Sequence, residues 1–166
     1  MRTLNIAELT VEQKIGQPLM VRGFVDDADR EFVYQMMENR SVGAIQIPAD
    51  RTDYKKEIAE VKRHADYPIL IFPDKERGSP VGEYKIPSTM GLSAAGDEEP
   101  AYQFGAVTAI EAKAAGYNLV GGPVVDQIEG ANMLNFQRSF GEDIEHATKM
   151  ISAVLRGEMD HGASES

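Results

Sequence analysis

Two aspartates and one arginine lie where their side chains could hold a small polar ligand. Asp74 comes two residues after an apolar run that ends at Phe72. Asp126 follows another apolar segment, and Arg138 precedes the last stretch with a helical pattern. A carboxylate accepts charge-assisted hydrogen bonds from two neighbouring hydroxyls at once, and a planar guanidinium can hold a hydroxyl pair or a carboxylate. These residue types therefore predict non-covalent binding of a ligand rich in hydroxyl groups.

Each of these residues also has a simpler interpretation. Asp74 can be a solvated loop residue or a helix cap. Arg138 can form a surface salt bridge that contributes little to stability. Asp126 can bind the ligand itself or only orient Arg138. The residue types alone leave these alternatives open.

Other kinds of site are not supported by the sequence. Gly121-Gly122-Pro123 lacks the following Lys-Ser/Thr of a phosphate-binding loop and the spacing of a dinucleotide site. His64, His146 and His161 are far apart in sequence, so we expect each to face solvent and not to bind a metal. The serines have no nucleophile-elbow context, and the chain has no cysteine. We predict no metal, no cofactor and no serine-hydrolase chemistry.

Composition limits the class of protein and its partners. A chain of 166 residues, 42% hydrophobic and 27% charged, is long enough for one globular domain. Its net charge of -10 opposes binding to nucleic acid and to anionic membrane surfaces. It contains no apolar run of about 18 residues, and its first residues have no apolar run of signal length. We therefore expect a cytoplasmic location.

Hydrophobic periodicity predicts strands and helices in alternation, which is typical of a parallel α/β sheet. A hydroxyl at Thr10 with Gln13 three residues later has the form of a capping box. We place strands at 19–23, 42–47, 68–72 and 117–125, helices at 10–16, 26–39, 52–65, 97–116 and 142–157, and a flexible tail at 158–166.

Two architectures agree with this pattern. A complete (βα)8 barrel needs about 250 residues, so residues 1–157 would supply about four βα units, half of such a barrel. The alternative is a free-standing, doubly wound parallel sheet. In both architectures the ligand binds at the carboxyl ends of the strands.

Three segments together resemble the family 3 glycoside hydrolases, particularly the β-N-acetylhexosaminidase branch. They are Arg138-Ser139-Phe140-Gly141-Glu142-Asp143, the opening helix Leu9 to Gln17, and Ile86 to Leu92 before the third predicted long helix. The resemblance extends from about Leu9 to Gly157. It implies a (βα)8 parent and retaining hydrolysis of β-linked N-acetylglucosamine or glucose. It also implies that Asp74 and Arg138 contact the sugar in the −1 subsite, with Asp126 near them.

The chain departs from the family pattern in two places. Arg77-Gly78 stands where the family has two glycines, and Ser79-Pro80 where it has Arg-Val. Beyond Gly157 there is no Lys-His segment of the family kind. Retaining hydrolysis needs a nucleophile and an acid about 5 to 5.5 Å apart when both are carboxylates, and neither is assignable here. We assign no catalytic residue.

The sequence therefore predicts the substrate-positioning half of a glycosidase, inactive alone. A half barrel would leave open strand edges and an exposed apolar inner face, so we expect a partner to cover them. That partner would be a second copy or a complementary C-terminal half barrel. One alternative is a non-catalytic sugar-binding or assembly protein derived from a decayed barrel. Another is an open-sheet domain with an unrelated ligand.

Overall fold

The structure is a computed structural model that describes residues 3–24, 26–49, 52–74, 86–128 and 137–162. The chain forms two compact units. The first unit contains Met1–Asp74 and Gly116–Leu119, and the second contains Lys75–Ala115 and Val120–Glu165.

The first unit contains a parallel sheet whose strands follow the order of the chain. Within the described residues the sheet has the order β1-β2-β3, with β1 at Met20–Arg22, β2 at Ala44–Gln46 and β3 at Leu70–Phe72. Met20, Ala44 and Leu70 are in register. A doubly wound sheet reverses its strand order at a switch point, whereas a barrel adds each strand beside the last. The elements are a 3-10 helix Ile6–Glu8, α1 Val11–Gly16, β1 Met20–Arg22, α2 Asp27–Glu38, β2 Ala44–Gln46, α3 Tyr54–His64 and β3 Leu70–Phe72.

Local signals decide where the first helices begin. The predicted capping box is formed, since Thr10 Oγ1 accepts from the Gln13 amide at 3.2 Å and Gln13 Oε1 accepts from the Thr10 amide at 3.1 Å. Asp26 starts α2 by accepting from the Asp29 amide at 2.9 Å. Each cap satisfies a backbone donor that has no partner within the helix.

The two faces of the sheet have different surroundings. Ile45 and Ile71 are fully buried on one face. Val21 is in register with these two residues, and side chains alternate between faces along a strand. Met20 and Leu70, each one position earlier in its strand, therefore belong to the other face. There Met20 is 60% exposed and Leu70 is 48% exposed. One face of this sheet is thus packed, and the other carries uncovered apolar side chains.

The predicted fourth strand at 117–125 is not formed. Asn118 takes the place of a neighbouring strand beside β3. Its side-chain oxygen accepts from the Ile71 amide at 2.6 Å, and its side-chain nitrogen donates to the Ile69 carbonyl at 2.8 Å. The backbone amide of Asn118 donates to the Ile71 carbonyl at 3.0 Å. Asn118 therefore satisfies the edge of β3 with its side chain and its backbone amide together, where the prediction had a continuous backbone ladder.

The second unit is helical in its described part. A buried cluster from all three helices and the segment before the last one forms its core. The helices are α4 Thr89–Ala95, α5 Glu98–Ala115 and α6 Ile144–His161, and the core cluster is Leu92, Ala101, Phe104, Phe140, Met150, Ala153 and Val154.

Helix α4 was missed in the sequence, where its residues were assigned to a long loop. Ser88 begins it by accepting from the Gly91 amide at 3.2 Å, and Gly96 ends it with a left-handed φ of 70°. A serine cap and a glycine in this conformation are ordinary helix boundaries. The helix is short, with seven residues, so its hydrophobic period gives little signal.

Gly157 does not end the last helix, as the sequence predicted, because α6 continues to His161. The reason is packing against α5. A Cβ atom at Gly157 would lie 2.0 Å from the Tyr102 carbonyl oxygen, and one at Gly105 would lie 2.0 Å from the Val154 carbonyl oxygen. Both glycines allow close approach of the two helices. Residues 158–161, predicted as tail, therefore belong to α6.

No helix in the described segments combines the length and the apolar content that a membrane span requires.

Candidate functional site

Asp74 lies where the sequence placed it, at the carboxyl end of β3 in the first unit. Its side chain is exposed, and it follows Phe72 by two residues. The strand before it is held by β2, since Phe72 is in register with Gln46 and its carbonyl accepts from the Ile47 amide at 2.9 Å. The segment with the family departures, 77–80, falls outside the described residues.

The segment around Arg138 is held by hydroxyl groups of α4. Thr89 Oγ1 donates to the Gln137 carbonyl at 2.9 Å, and Ser93 Oγ donates to the Phe140 carbonyl at 2.6 Å. Thr89 is fully buried, and Ser93 is nearly so. Phe140 is itself part of the core. Arg138 is half-buried, and the carbonyls on both sides of it are fixed.

His146 extends this network from α6. Its Nε2 lies 3.0 Å from Ser93 Oγ and 3.0 Å from the Ser93 carbonyl oxygen. A carbonyl only accepts, so Nε2 carries the hydrogen. The prediction that His146 faces solvent is wrong, because it is half-buried against α4. The His146 amide also donates to Asp143 Oδ1, and this hydrogen bond holds the pKa of Asp143 below its usual value.

The segments of Asp126 and Arg138 are joined by direct hydrogen bonds. Ser139 Oγ donates to the Asp126 carbonyl at 2.8 Å and accepts from the Gly141 amide at 3.2 Å. Gln127 Nε2 donates to the Glu142 carbonyl at 3.1 Å. The side chain of Asp126 is exposed. The second unit therefore places these two predicted site residues on neighbouring segments.

Asp74 belongs to the other unit, so its joint use with Arg138 stays a prediction. Sequence reasoning missed Thr89, Ser93, Ser139 and His146, which hold the Arg138 segment. Thr89 directly follows the serine helix cap, and Ser93, four positions later, directly follows the apolar Leu92. That spacing places both on one face of a helix and was the available signal.

The described residues contain no group of three metal-ligating side chains that could hold an ion. His64, also expected to face solvent, is largely buried and stacks on Tyr34 with ring centroids 3.9 Å apart. Its Nδ1 lies 2.8 Å from Glu38 Oε1. This histidine has a packing role between α2 and α3.

An open cleft of about 300 Å³ lies between α2 and α3. Its lining contains none of the predicted site residues and mixes both charge signs. The lining residues are Arg30, Tyr34, Asp53, Lys56, Glu57 and Glu60.

A protein-family model, the glycosyl hydrolase family 3 N terminal domain, matches residues 10–165. This chain belongs to that family. The match includes both units and every predicted site residue. No curated protein matches the sequence significantly.

Solved structures of family members resemble the chain. A glycoside hydrolase family 3 β-N-acetylglucosaminidase from Paenibacillus sp. is 28% identical with a TM-score of 0.78, over 92% of this chain and 31% of that protein. The β-glucoside phosphorylase BglX is 25% identical with a TM-score of 0.78, over 94% of this chain and 29% of that protein. NagZ from Neisseria gonorrhoeae, 23% identical with a TM-score of 0.70 over 87% of this chain and 46% of that protein, shows the fold alone.

These matches confirm the predicted fold class. The family 3 chain is α/β with a parallel sheet, and it corresponds to half of the barrel domain rather than to a closed barrel. It spans less than half the length of each of the three structures.

Proposed function

We propose that this chain is the substrate-positioning half of a family 3 glycosidase that acts on β-linked N-acetylglucosamine or glucose. Arg138, Asp126 and Asp74 bind the sugar, and the chain alone binds without hydrolysing. The cytoplasmic location predicted from the sequence is kept as part of this proposal.

One observation carries the proposal. The Ser139 hydroxyl bonds to the Asp126 carbonyl at 2.8 Å, which joins the segments of two predicted sugar-binding residues. An exposed carboxylate and a half-buried guanidinium on joined segments supply the acceptors and donors that a pyranose ring needs. These groups support the proposal of sugar recognition at this site.

The known proteins support the substrate class. The Paenibacillus relative is a β-N-acetylglucosaminidase, and BglX acts on β-glucosides. Both are similar to this chain over more than nine-tenths of its length. We infer that the sugar is one of these two, joined by a β-linkage.

The proposal requires a second component for turnover. Retaining hydrolysis needs a nucleophile and an acid on opposite sides of the scissile bond, and we assigned neither to this chain. Further barrel strands would join this sheet at its strand edges, and the exposed face with Met20 and Leu70 would then line the barrel interior. A complementary C-terminal half would cover this face and add the catalytic groups, whereas a second copy would cover it without adding them.

Calorimetric titration tests the binding step. N-acetylglucosamine and glucose are titrated separately into the 166-residue chain and into Arg138→Ala. We expect one of the sugars to bind the chain and Arg138→Ala to abolish the heat, since a charge-assisted donor is lost. The matched control is Arg156→Ala, which removes an exposed arginine paired with Glu98 at 3.2 Å in the same unit. Arg156→Ala should bind the sugar with the affinity of the parent chain.

Turnover is measured on the same protein with nitrophenyl β-glucosaminide and β-glucoside. We expect no hydrolysis by the chain alone. Turnover that survives the combined change Asp74→Ala with Arg138→Ala would contradict the site assignment. Absence of heat with both sugars would contradict sugar binding and would indicate that the chain has only a structural role. Sugar binding without turnover, even after a C-terminal half is added, would instead favour the non-catalytic sugar-binding protein.

A further inference from the structure

Buried hydroxyl groups of the second unit are directed at one segment. The described buried polar residues are Thr89, Ser93, Thr108 and Ser139. All but Thr108 bond to backbone carbonyls in or beside the segments of Arg138 and Asp126. Burying a hydroxyl is costly unless it forms a hydrogen bond, so each of these contacts fixes its carbonyl firmly.

We propose that Thr89 and Ser93 are positioning residues for sugar recognition, because they hold the backbone on both sides of Arg138 in its binding conformation. We call these two residues the hydroxyl clamp. This inference rests on the proposed sugar-binding role of Arg138. It assigns to α4 a function that its position in the sequence does not reveal.

The geometry explains why two contacts are needed. Thr89 fixes the carbonyl of Gln137, one residue before the arginine, and Ser93 fixes that of Phe140, two residues after it. Thr89 and Ser93 are one helical turn apart on α4, a rigid element. One rigid helix holds the backbone on both sides of Arg138, so this backbone is already ordered before a sugar binds. The free energy of binding then includes no cost for ordering the segment.

His146 completes the arrangement. Its Nε2–H donates to Ser93, whose own hydroxyl hydrogen is directed to the Phe140 carbonyl. Hydrogen bonds in such a chain polarise one another and strengthen. Ser93 thus has one orientation, with its hydrogen toward the arginine segment.

Thr108 supplies a matched control for the test. It is fully buried like Thr89 and lies in the same unit, and its hydroxyl donates to a backbone carbonyl at 2.8 Å. That carbonyl belongs to Phe104, one turn earlier in its own helix. Thr108→Val therefore removes a hydroxyl of the same type and burial that has no contact with the arginine segment.

The experiment compares sugar affinity among Thr89→Val, Ser93→Ala, Thr108→Val and the conservative Thr89→Ser by calorimetry. We expect Thr89→Val and Ser93→Ala each to weaken binding about tenfold, from one lost buried hydrogen bond. Thr108→Val should keep the parent affinity, and Thr89→Ser should restore most of it because the hydroxyl is retained. Unchanged affinity in both Thr89→Val and Ser93→Ala would overturn the proposal. An equal loss in Thr108→Val would also overturn it.

Amide hydrogen exchange gives a readout that does not depend on sugar. The amide of Gly141, which donates to Ser139 Oγ at 3.2 Å, should exchange faster in Thr89→Val or Ser93→Ala than in Thr108→Val. If neither sugar binds the parent chain, the proposed function fails. Amide hydrogen exchange alone then tests whether the hydroxyl clamp holds the Arg138 segment. Unaltered protection of the Gly141 amide in the folded variants would then overturn the proposed role of the hydroxyl clamp. Where Thr89→Val does not fold, Ser93→Ala carries the test.

Discussion

Asp74 and Arg138 are the two residues on which the proposed function depends most, and they are positioned by different means. Asp74 follows β3, whose backbone is paired with β2 in the first unit. The described segment of Arg138, from residue 137 to 143, contains no strand and is held by side-chain hydroxyls of the second unit. One residue depends on a backbone ladder, the other on particular side chains.

This difference has a consequence for mutation. Backbone hydrogen bonds are available to almost any sequence, so a strand end tolerates many side chains. A loop held by side-chain donors loses a contact with each substitution of a donor. We therefore expect substitutions that disturb function without touching the ligand to concentrate in the second unit.

The largest effect should come from the helix pair that supports the Arg138 segment. Gly157→Ala places a Cβ atom 2.0 Å from the Tyr102 carbonyl, so α5 and α6 must separate. We expect a loss of about 3 kcal/mol in the free energy of unfolding, at the upper end for overpacking. Urea denaturation measures it.

The control for this change is Gly91→Ala in α4. A Cβ atom there meets only Ser88 Oγ at 3.4 Å and Pro87 Cβ at 3.7 Å, which are ordinary contacts. Alanine is the better helix former by about 1 kcal/mol, so this variant should be slightly more stable than the parent. A Gly157→Ala protein as stable as Gly91→Ala would show that the helix contact is looser than described.

The first unit has one place where a side chain replaces the ladder, and it should behave like the second unit. Asn118→Ala removes the acceptor of the Ile71 amide and the donor to the Ile69 carbonyl. We expect a loss of about 2 kcal/mol in the free energy of unfolding and faster exchange of the Ile71 amide. Asn39→Ala, an exposed asparagine at the end of α2, should change stability by less than about 0.5 kcal/mol. Equal effects at both asparagines would contradict the role given to Asn118.

A smaller effect is expected from a half-buried carboxyl of the second unit. Burial raises the pKa of Glu158 from 4.5 to about 7. Between these values the folded chain keeps a proton that the unfolded chain releases, so stability falls as pH rises from 4.5 to 7 and stays lowered above pH 7. Glu158→Gln should remove this decline and raise stability at pH 8 by about 1 kcal/mol, after allowance for partial exposure. Thermal unfolding at pH 5 and pH 8 measures it, and a parent protein that is more stable at pH 8 would contradict the sign.

The same contrast explains which parts of the fold were predictable. Helix starts at Thr10, Asp26 and Asp143 depend on residues three positions away, so the sequence predicted them. The prediction of the fourth strand was wrong because the conformation there depends on hydrogen bonds from Asn118 to residues 47 and 49 positions away, which local sequence patterns do not reveal. Gly157 was read as a helix end because a glycine that ends a helix and one that packs against another look alike in sequence.

The candidate site residues stay predictions. The family motif suggested Arg138, and the predicted strand ends suggested Asp74 and Asp126. The clamp was not identified, since Thr89 and Ser93 contact residues 48 and 47 positions away. Contacts at such separation depend on the packing of whole helices, which short-range patterns do not encode.

A double-mutant cycle on sugar affinity tests the central claim, that Asp74 and Arg138 bind one sugar. Calorimetry compares the parent chain, Asp74→Asn, Arg138→Lys and the double variant. We predict that each single change weakens sugar binding at least tenfold. The loss of affinity in the double variant should be smaller than the product of the two single losses, since contacts to one ligand are coupled. Parent affinity in Asp74→Asn, or losses that multiply without coupling, would contradict the account.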